Sequence, residues 1–180
     1  LVADNCAGQN KNRMVMRFVV WMVEKKYFEK VSMIFLVAGH TKNPCDRLFN
    51  LLKYEYRRKN IFNVKDLLDV LQRNPLCSAE RAPKFFKWDK YLNQIYKKPE
   101  QITKNHSFTV TKNNPTTLFM KRSNVVDDFS GNEMSKGNLS MEERVEILSK
   151  MPEEAAAPGI RLIKRVELNK KYRRLVPDEY

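Results

Sequence analysis

The chain has 180 residues and a formal net charge of +13, from 34 Lys and Arg against 21 Asp and Glu. That length holds one domain and an appendage, and the charge favours polyanionic partners, nucleic acid before anionic membrane, over acidic ones. No apolar run reaches the roughly 18–20 residues of a membrane span; the best candidate, 15–23, is interrupted by Arg17 and ended by Glu24, Lys25 and Lys26. Cys6, Cys45 and Cys77 are odd in number and widely spaced, which argues against a disulfide framework and for a reducing, intracellular compartment. Leu1 lies inside an apolar run with no Met before it, so the chain reads as a piece of a longer protein.

Leu1, Val2, Ala3 and Asp4 read as the end of a strand, and 5–10 as a polar loop. Residues 11–27 carry a helical pattern, with Val15, Phe18, Val19 and Met22 on one face and Met16, Val20, Val23 and Tyr27 on another. Apolar residues on both faces predict a helix buried on more than one side. Residues 33–38 are continuously apolar, as in a fully buried strand. Strand, helix, strand predicts a parallel βαβ unit. Asp4 and His40 then lie at one sheet edge, where open α/β proteins bind ligands.

Asn43 and Pro44 suit a helix N-cap and first position. The helix of 44–58 is expected to bury Leu48, Phe49, Leu52 and Tyr56. A further helix over 64–71 has Asn63 as its cap. Residues 77–84 read as a linker between a domain over 1–76 and an irregular α+β extension over 85–180. Within that extension the pattern predicts an amphipathic helix over 85–98, with Phe86, Tyr91, Leu92, Ile95 and Tyr96 on one face. A strand over 107–111 has a hairpin partner at 117–120. A polar, mobile stretch covers 126–138. Ser140 and Glu143 form a capping box that opens a helix to about residue 151. The extension as a whole is expected to pack loosely and in part to be disordered. The tail carries Arg161, Lys164, Arg165, Lys170, Lys171, Arg173 and Arg174, read as a flexible basic arm.

Asp4, at a strand end, is placed like a metal-binding carboxylate. Asp46, in the first turn of the next helix, is the second candidate; two carboxylates on adjacent elements could share a hard cation such as Mg²⁺. An acid in that turn also stabilises the helix dipole by about 0.3–1 kcal/mol and has reason enough to be there. His40 could act as a general base or phosphate contact, or its ring could bond a backbone carbonyl. Cys6, His40 and Cys45 offer three zinc ligands but no C-x-x-C pair, and a Cys–His nucleophilic pair stands beside that reading. Lys11, Arg13, Lys42 and Arg47 surround the proposed edge as phosphate contacts.

The run from Asp4 to Asn12, the buried helix, and the run from Phe35 through Gly39, His40, Thr41, Lys42, Asn43, Pro44, Cys45 and Asp46 to Phe49 resemble the C-terminal half of a domain in transposon-derived proteins of oomycetes, fungi and animals. That domain looks like a transposase or integrase of the ribonuclease-H-like superfamily. The resemblance covers about residues 1–73. It implies an α/β, partial ribonuclease-H-like fold: the βαβ unit and following helices belong to a five-stranded core with three metal-binding carboxylates. Asp4 would match the second, on the fourth strand, and Asp46 the third, after the fifth strand. The first carboxylate and strands one to three would lie upstream. Mg²⁺ or Mn²⁺ is implied for the complete domain only, with DNA as partner and the nucleus as location. A non-catalytic nucleic-acid-binding module and a basic interaction protein are the rival readings.

Overall fold

The structure is a computed structural model, and it describes residues 1–6, 9–36, 44–80, 84–122, 129–157 and 159–178. The chain is a mixed α/β protein with six α-helices among the described residues. It divides into two compact units, one of Leu1–Thr41 with Phe86–Glu154 and one of Lys42–Phe85 with Ala155–Tyr180.

The first unit is built on a five-stranded mixed sheet. Strand β1 (Val2–Ala3) pairs in parallel with β2 (Lys30–Phe35), Val2 opposite Ile34 and Ala3 opposite Phe35. Helix α1 (Arg13–Glu24) connects them, which completes the expected parallel unit. Asn12 caps α1, its side chain accepting the Val15 N–H at 3.0 Å, and satisfies one of the orphan donors of a helix start. The helix therefore begins two residues later than periodicity alone places it. At its other end Lys26 takes the left-handed conformation, φ 60°. The Lys26 N–H reaches Val23 O at 2.9 Å and the Tyr27 N–H reaches Met22 O at 3.0 Å. This is the helix-ending turn usually completed by glycine, and a side chain there is strained.

Downstream of β2 the chain leaves this unit for α2 (Pro44–Tyr56) and α3 (Val64–Leu71) of the second unit. A short β3 (Phe85–Phe86) and α4 (Trp88–Ile95) follow. Strand β4 (Ser107–Thr111) runs antiparallel to β2, with Met33 opposite Phe108 and Val31 opposite Val110. β5 (Asn114–Lys121) forms the expected hairpin with β4, and β6 (Ser130–Glu133) adds at the edge, giving the order β1-β2-β4-β5-β6. Helix α5 (Met141–Ser149) starts at the predicted capping box. The Ser140 N–H donates to Glu143 Oε2 at 2.8 Å, and the Glu143 N–H to Ser140 Oγ at 3.1 Å. Last come β7 (Glu154–Ala155), paired with β3, and α6 (Leu162–Tyr172).

The core lies between α1, α4 and one face of the sheet. Met16, Val19, Val20 and Val23 of α1, spaced i, i+3, i+4, i+7, meet Val31, Met33 and Phe35 of β2 and Phe108, Val110, Leu118 and Met120 of β4 and β5. Leu92, Ile95, Tyr96 and Met134 close it. Full burial of one such side chain contributes about 1.5–3 kcal/mol. Loose packing after residue 76 does not describe this arrangement, because half the core comes from that region. The sequence places the hairpin partner of 107–111 but not its second neighbour, which is β2. The stretch read as mobile, 126–138, contains β6. Gly131 permits it, since a Cβ there would stand 3.3 Å from Thr117 Cγ2 and 3.5 Å from Phe119 Cε1. Residues 126–128 of that stretch lie outside the described residues.

Within the second unit α2 packs on α3, and the expected burial of Leu48 and Phe49 does not occur: they are 37% and 60% exposed. Leu52 is buried and Tyr56 half-buried. An eight-residue helix is only about 12 Å long, too short to cover all of α2. Asn63 and Asp66 form a capping box at the start of α3. Helix α6 buries no residue.

Three buried polar groups hold the first unit together. Arg144 of α5 grips Glu24 of α1, while the Tyr96 hydroxyl donates to Glu24 Oε2 at 2.6 Å. Arg17 donates Nε to Lys97 O at 3.0 Å and Nη2 to Asn93 Oδ1 at 3.1 Å, fixing α1 against the end of α4. Burial and the Glu24 charge push the Tyr96 hydroxyl far above its ordinary 10.0, so it stays protonated in the folded state. Above pH 10 the unfolded chain releases this proton and the folded chain keeps it, so the unfolded state binds fewer protons and stability falls as pH rises. Urea titrations between pH 9.5 and 11.5 are expected to show a loss from this group of about 1.4 kcal/mol per pH unit above 10. A flat profile across that window would exclude it.

Candidate functional site

The carboxyl ends of β1 and β2 define the edge singled out above. Just beyond β1, the exposed Asp4 accepts the Asn10 Nδ2 on Oδ1 at 3.0 Å. The loop then turns tightly: Cys6 O receives the N–H groups of Gln9, Asn10 and Lys11 at 3.2, 3.0 and 3.1 Å. Asp4 thus presents a hard, partly hydrogen-bonded carboxylate, a donor type that suits Mg²⁺ or Mn²⁺.

Lys11 is not the surface cation that its position in sequence implies. It is 3% exposed. Its ammonium donates to Asn5 Oδ1 at 2.8 Å and Thr103 O at 3.1 Å, 5.5 Å from the centre of the Phe35 ring. Burial pushes its pKa down. The residue acts as a tie between the loop after β1 and the segment before β4, and offers no free charge to a phosphate. Arg13 is exposed in the first turn of α1. With Lys98 it lines a cleft of about 810 Å³ between that turn and residues 98–103.

Asp46 and Arg47 are exposed in the first turn of α2, where an acid also suits the helix dipole. They belong to the second unit and Asp4 to the first. His40 and Lys42 lie outside the described residues, as does the side chain of Cys45. The Cys6–His40–Cys45 zinc reading therefore falls outside them too. Among the described residues no group of three or more His, Cys, Asp or Glu is placed to hold a metal ion.

Periodicity passed over His106. Its carbonyl accepts the Phe35 N–H at 2.7 Å and its N–H donates to Lys121 O at 2.8 Å, so it stands at the carboxyl end of β2, the edge that carries Asp4. Its Nδ1 is buried with no hydrogen-bond partner among the described residues. The available signal was its place directly before an alternating run, but only pairing with β2 brings it to this edge.

Fold and site together define a mixed α/β protein with an acidic group at the carboxyl edge of a parallel pair. Residues 1–128 match the family described as "Domain of unknown function (DUF7869)", and the chain belongs to that family. No curated protein and no solved structure matches it. Among the described residues no helix is long and apolar enough to cross a membrane.

Proposed function

We propose that this chain is the C-terminal half of a ribonuclease-H-like domain of the transposase or integrase type, a nuclear protein acting on DNA. The observation that carries the reading is the parallel β1–α1–β2 unit with an exposed Asp4 at its carboxyl end. In this reading Asp4 would hold Mg²⁺ or Mn²⁺ together with further carboxylates of the complete domain, for which Asp46 is the candidate read from the sequence, and the ion would activate water for phosphodiester cleavage. Asp4 supplies one hard oxygen ligand, oriented by Asn10. His40 serves as base or phosphate contact. Arg13, Lys42 and Arg47 meet the DNA backbone. The chain is expected to bind duplex DNA through its basic surface.

Duplex binding tests this. Fluorescence anisotropy is expected to give a Kd of about 10⁻⁴–10⁻⁶ M at physiological salt, weakening steeply as salt rises. Replacing Arg13 and Arg47 together by Ala should flatten the log–log salt slope by about 2. Asp4→Asn should leave metal-free binding unchanged or tighter, because it removes a negative charge from a phosphate path. Heparin competition measures the share owed to unspecific polyanion binding. Salt-insensitive binding, or binding indifferent to the Arg13 and Arg47 substitutions, would sink the reading.

The rival, a basic module without catalysis, has its own support. From Arg161 to Leu175 seven Lys and Arg stand against Glu167, on and around α6, whose Leu162 and Ile163 are 73% and 77% exposed. If deleting α6 abolishes binding while the arginine substitutions are silent, this second reading replaces the first.

A further inference from the structure

The end of the sheet opposite Asp4 holds a second recess, wholly inside the first unit. β2 starts there at Lys30, in register with Thr111 at the end of β4. The Lys112 N–H donates to Glu29 O at 2.7 Å, and Lys112 Nζ meets Glu29 Oε1 at 2.6 Å. These bonds clamp the β4–β5 turn to the segment that leaves α1. Between the two lies a pocket of about 310 Å³ with apolar walls from Val23, Phe28 and Pro115, and with Lys26, Lys112, Glu24 and Glu29 as its charged lining. The Glu24 carboxylate is already held by Arg144 and Tyr96, and that of Glu29 by Lys112. Its size is at the lower end of the ~300–1,000 Å³ range of ligand sites. Phe28 keeps 54% of its surface exposed. Lys26, at the left-handed turn described above, lines the pocket and is exposed.

We infer that this pocket binds an unpaired nucleotide, its base stacked on Phe28 and its phosphate between the ammonium groups of Lys26 and Lys112. A flat apolar wall flanked by two cations matches a planar ring that carries an anion, and aromatic stacking accepts any base. A duplex keeps its bases stacked on one another, so the pocket selects single strands. Glu29 is the built-in competitor. Its pair with Lys112 is exposed on both sides, 61% and 80%, and such pairs are weak enough to open to a phosphate. The inference rests on the nucleic-acid reading only for its source, a strand or a free mononucleotide.

Anisotropy titrations of the whole chain with a labelled ten-nucleotide single strand, and separately with a duplex, test it. AMP should displace the single strand and ribose 5-phosphate should not. Phe28→Ala should weaken single-strand binding about five- to a hundred-fold, in line with the loss of one stacked base, and change duplex binding less than twofold. Phe28→Trp should preserve single-strand binding. Glu29→Gln should tighten it, by freeing Lys112. If AMP binds the pocket but the single strand does not compete, the source is a free nucleotide and the pocket stands. If single-strand binding persists where duplex binding is absent, the pocket stands and the transposase reading falls. Phe28→Ala binding within twofold of the parent on single strands, or equal losses on single strand and duplex, would overturn the inference.

Discussion

Arg144→Ala is expected to destabilise the protein by about 3–5 kcal/mol. The guanidinium holds Glu24 through two parallel bonds of 2.7 Å, Nε to Oε1 and Nη2 to Oε2, and a third proton reaches Ile95 O at 3.3 Å. The two side chains are only 8% and 13% exposed, so water cannot replace the lost partner. Without Arg144 the Glu24 carboxylate stays buried with the Tyr96 hydroxyl alone. For a chain of this size the melting temperature should fall by roughly 6–20 °C. Removing both charges, as Arg144→Met with Glu24→Met, should cost far less than the sum of the two single changes, since no uncompensated ion remains. Chemical denaturation of the four proteins gives the coupling directly. A loss below 1 kcal/mol for Arg144→Ala would mean that the pair is solvated in solution.

A chain ending at Leu76 is expected to have no cooperative fold. Such a chain retains β1, α1 and β2 but loses β4, and with it the antiparallel ladder from Lys30–Thr111 to Ile34–Ser107. It also loses Leu92, Ile95, Tyr96, Phe108, Val110, Leu118, Met120 and Met134, every one buried in the core. At about 1.5–3 kcal/mol for each side chain, the lost burial is of the same order as, or larger than, the ~5–15 kcal/mol by which a domain is stable. Far-UV circular dichroism should show little regular structure and urea no sigmoidal transition. A cooperative transition in the 1–76 chain would show that the parallel unit stands without its antiparallel half.

Phe28, just before β2 begins, and Arg13, in the first turn of α1, lie toward opposite ends of the six-residue strand β2 in the first unit, a strand about 20 Å long. The two assays therefore report on separate surfaces.

What could be read from the sequence alone was local. The parallel unit, the caps at Asn63 and Ser140, and the β4–β5 hairpin all follow from side chains a few residues apart, whose spacing or hydrogen bonding decides the backbone. Asp4 at the edge follows from the same unit, because parallel strands share an end. What depended on distant partners was settled by tertiary structure. Alternation in 107–111 shows a half-buried strand without saying that β2 lies beside it, so His106 and the true extent of the core stayed hidden. Charge on a residue says nothing of its exposure. Lys11, Arg17 and Arg144 are buried because carbonyl and carboxylate oxygens many residues away in sequence receive their protons, an arrangement that repays desolvation only when the whole sheet and its helices are in place.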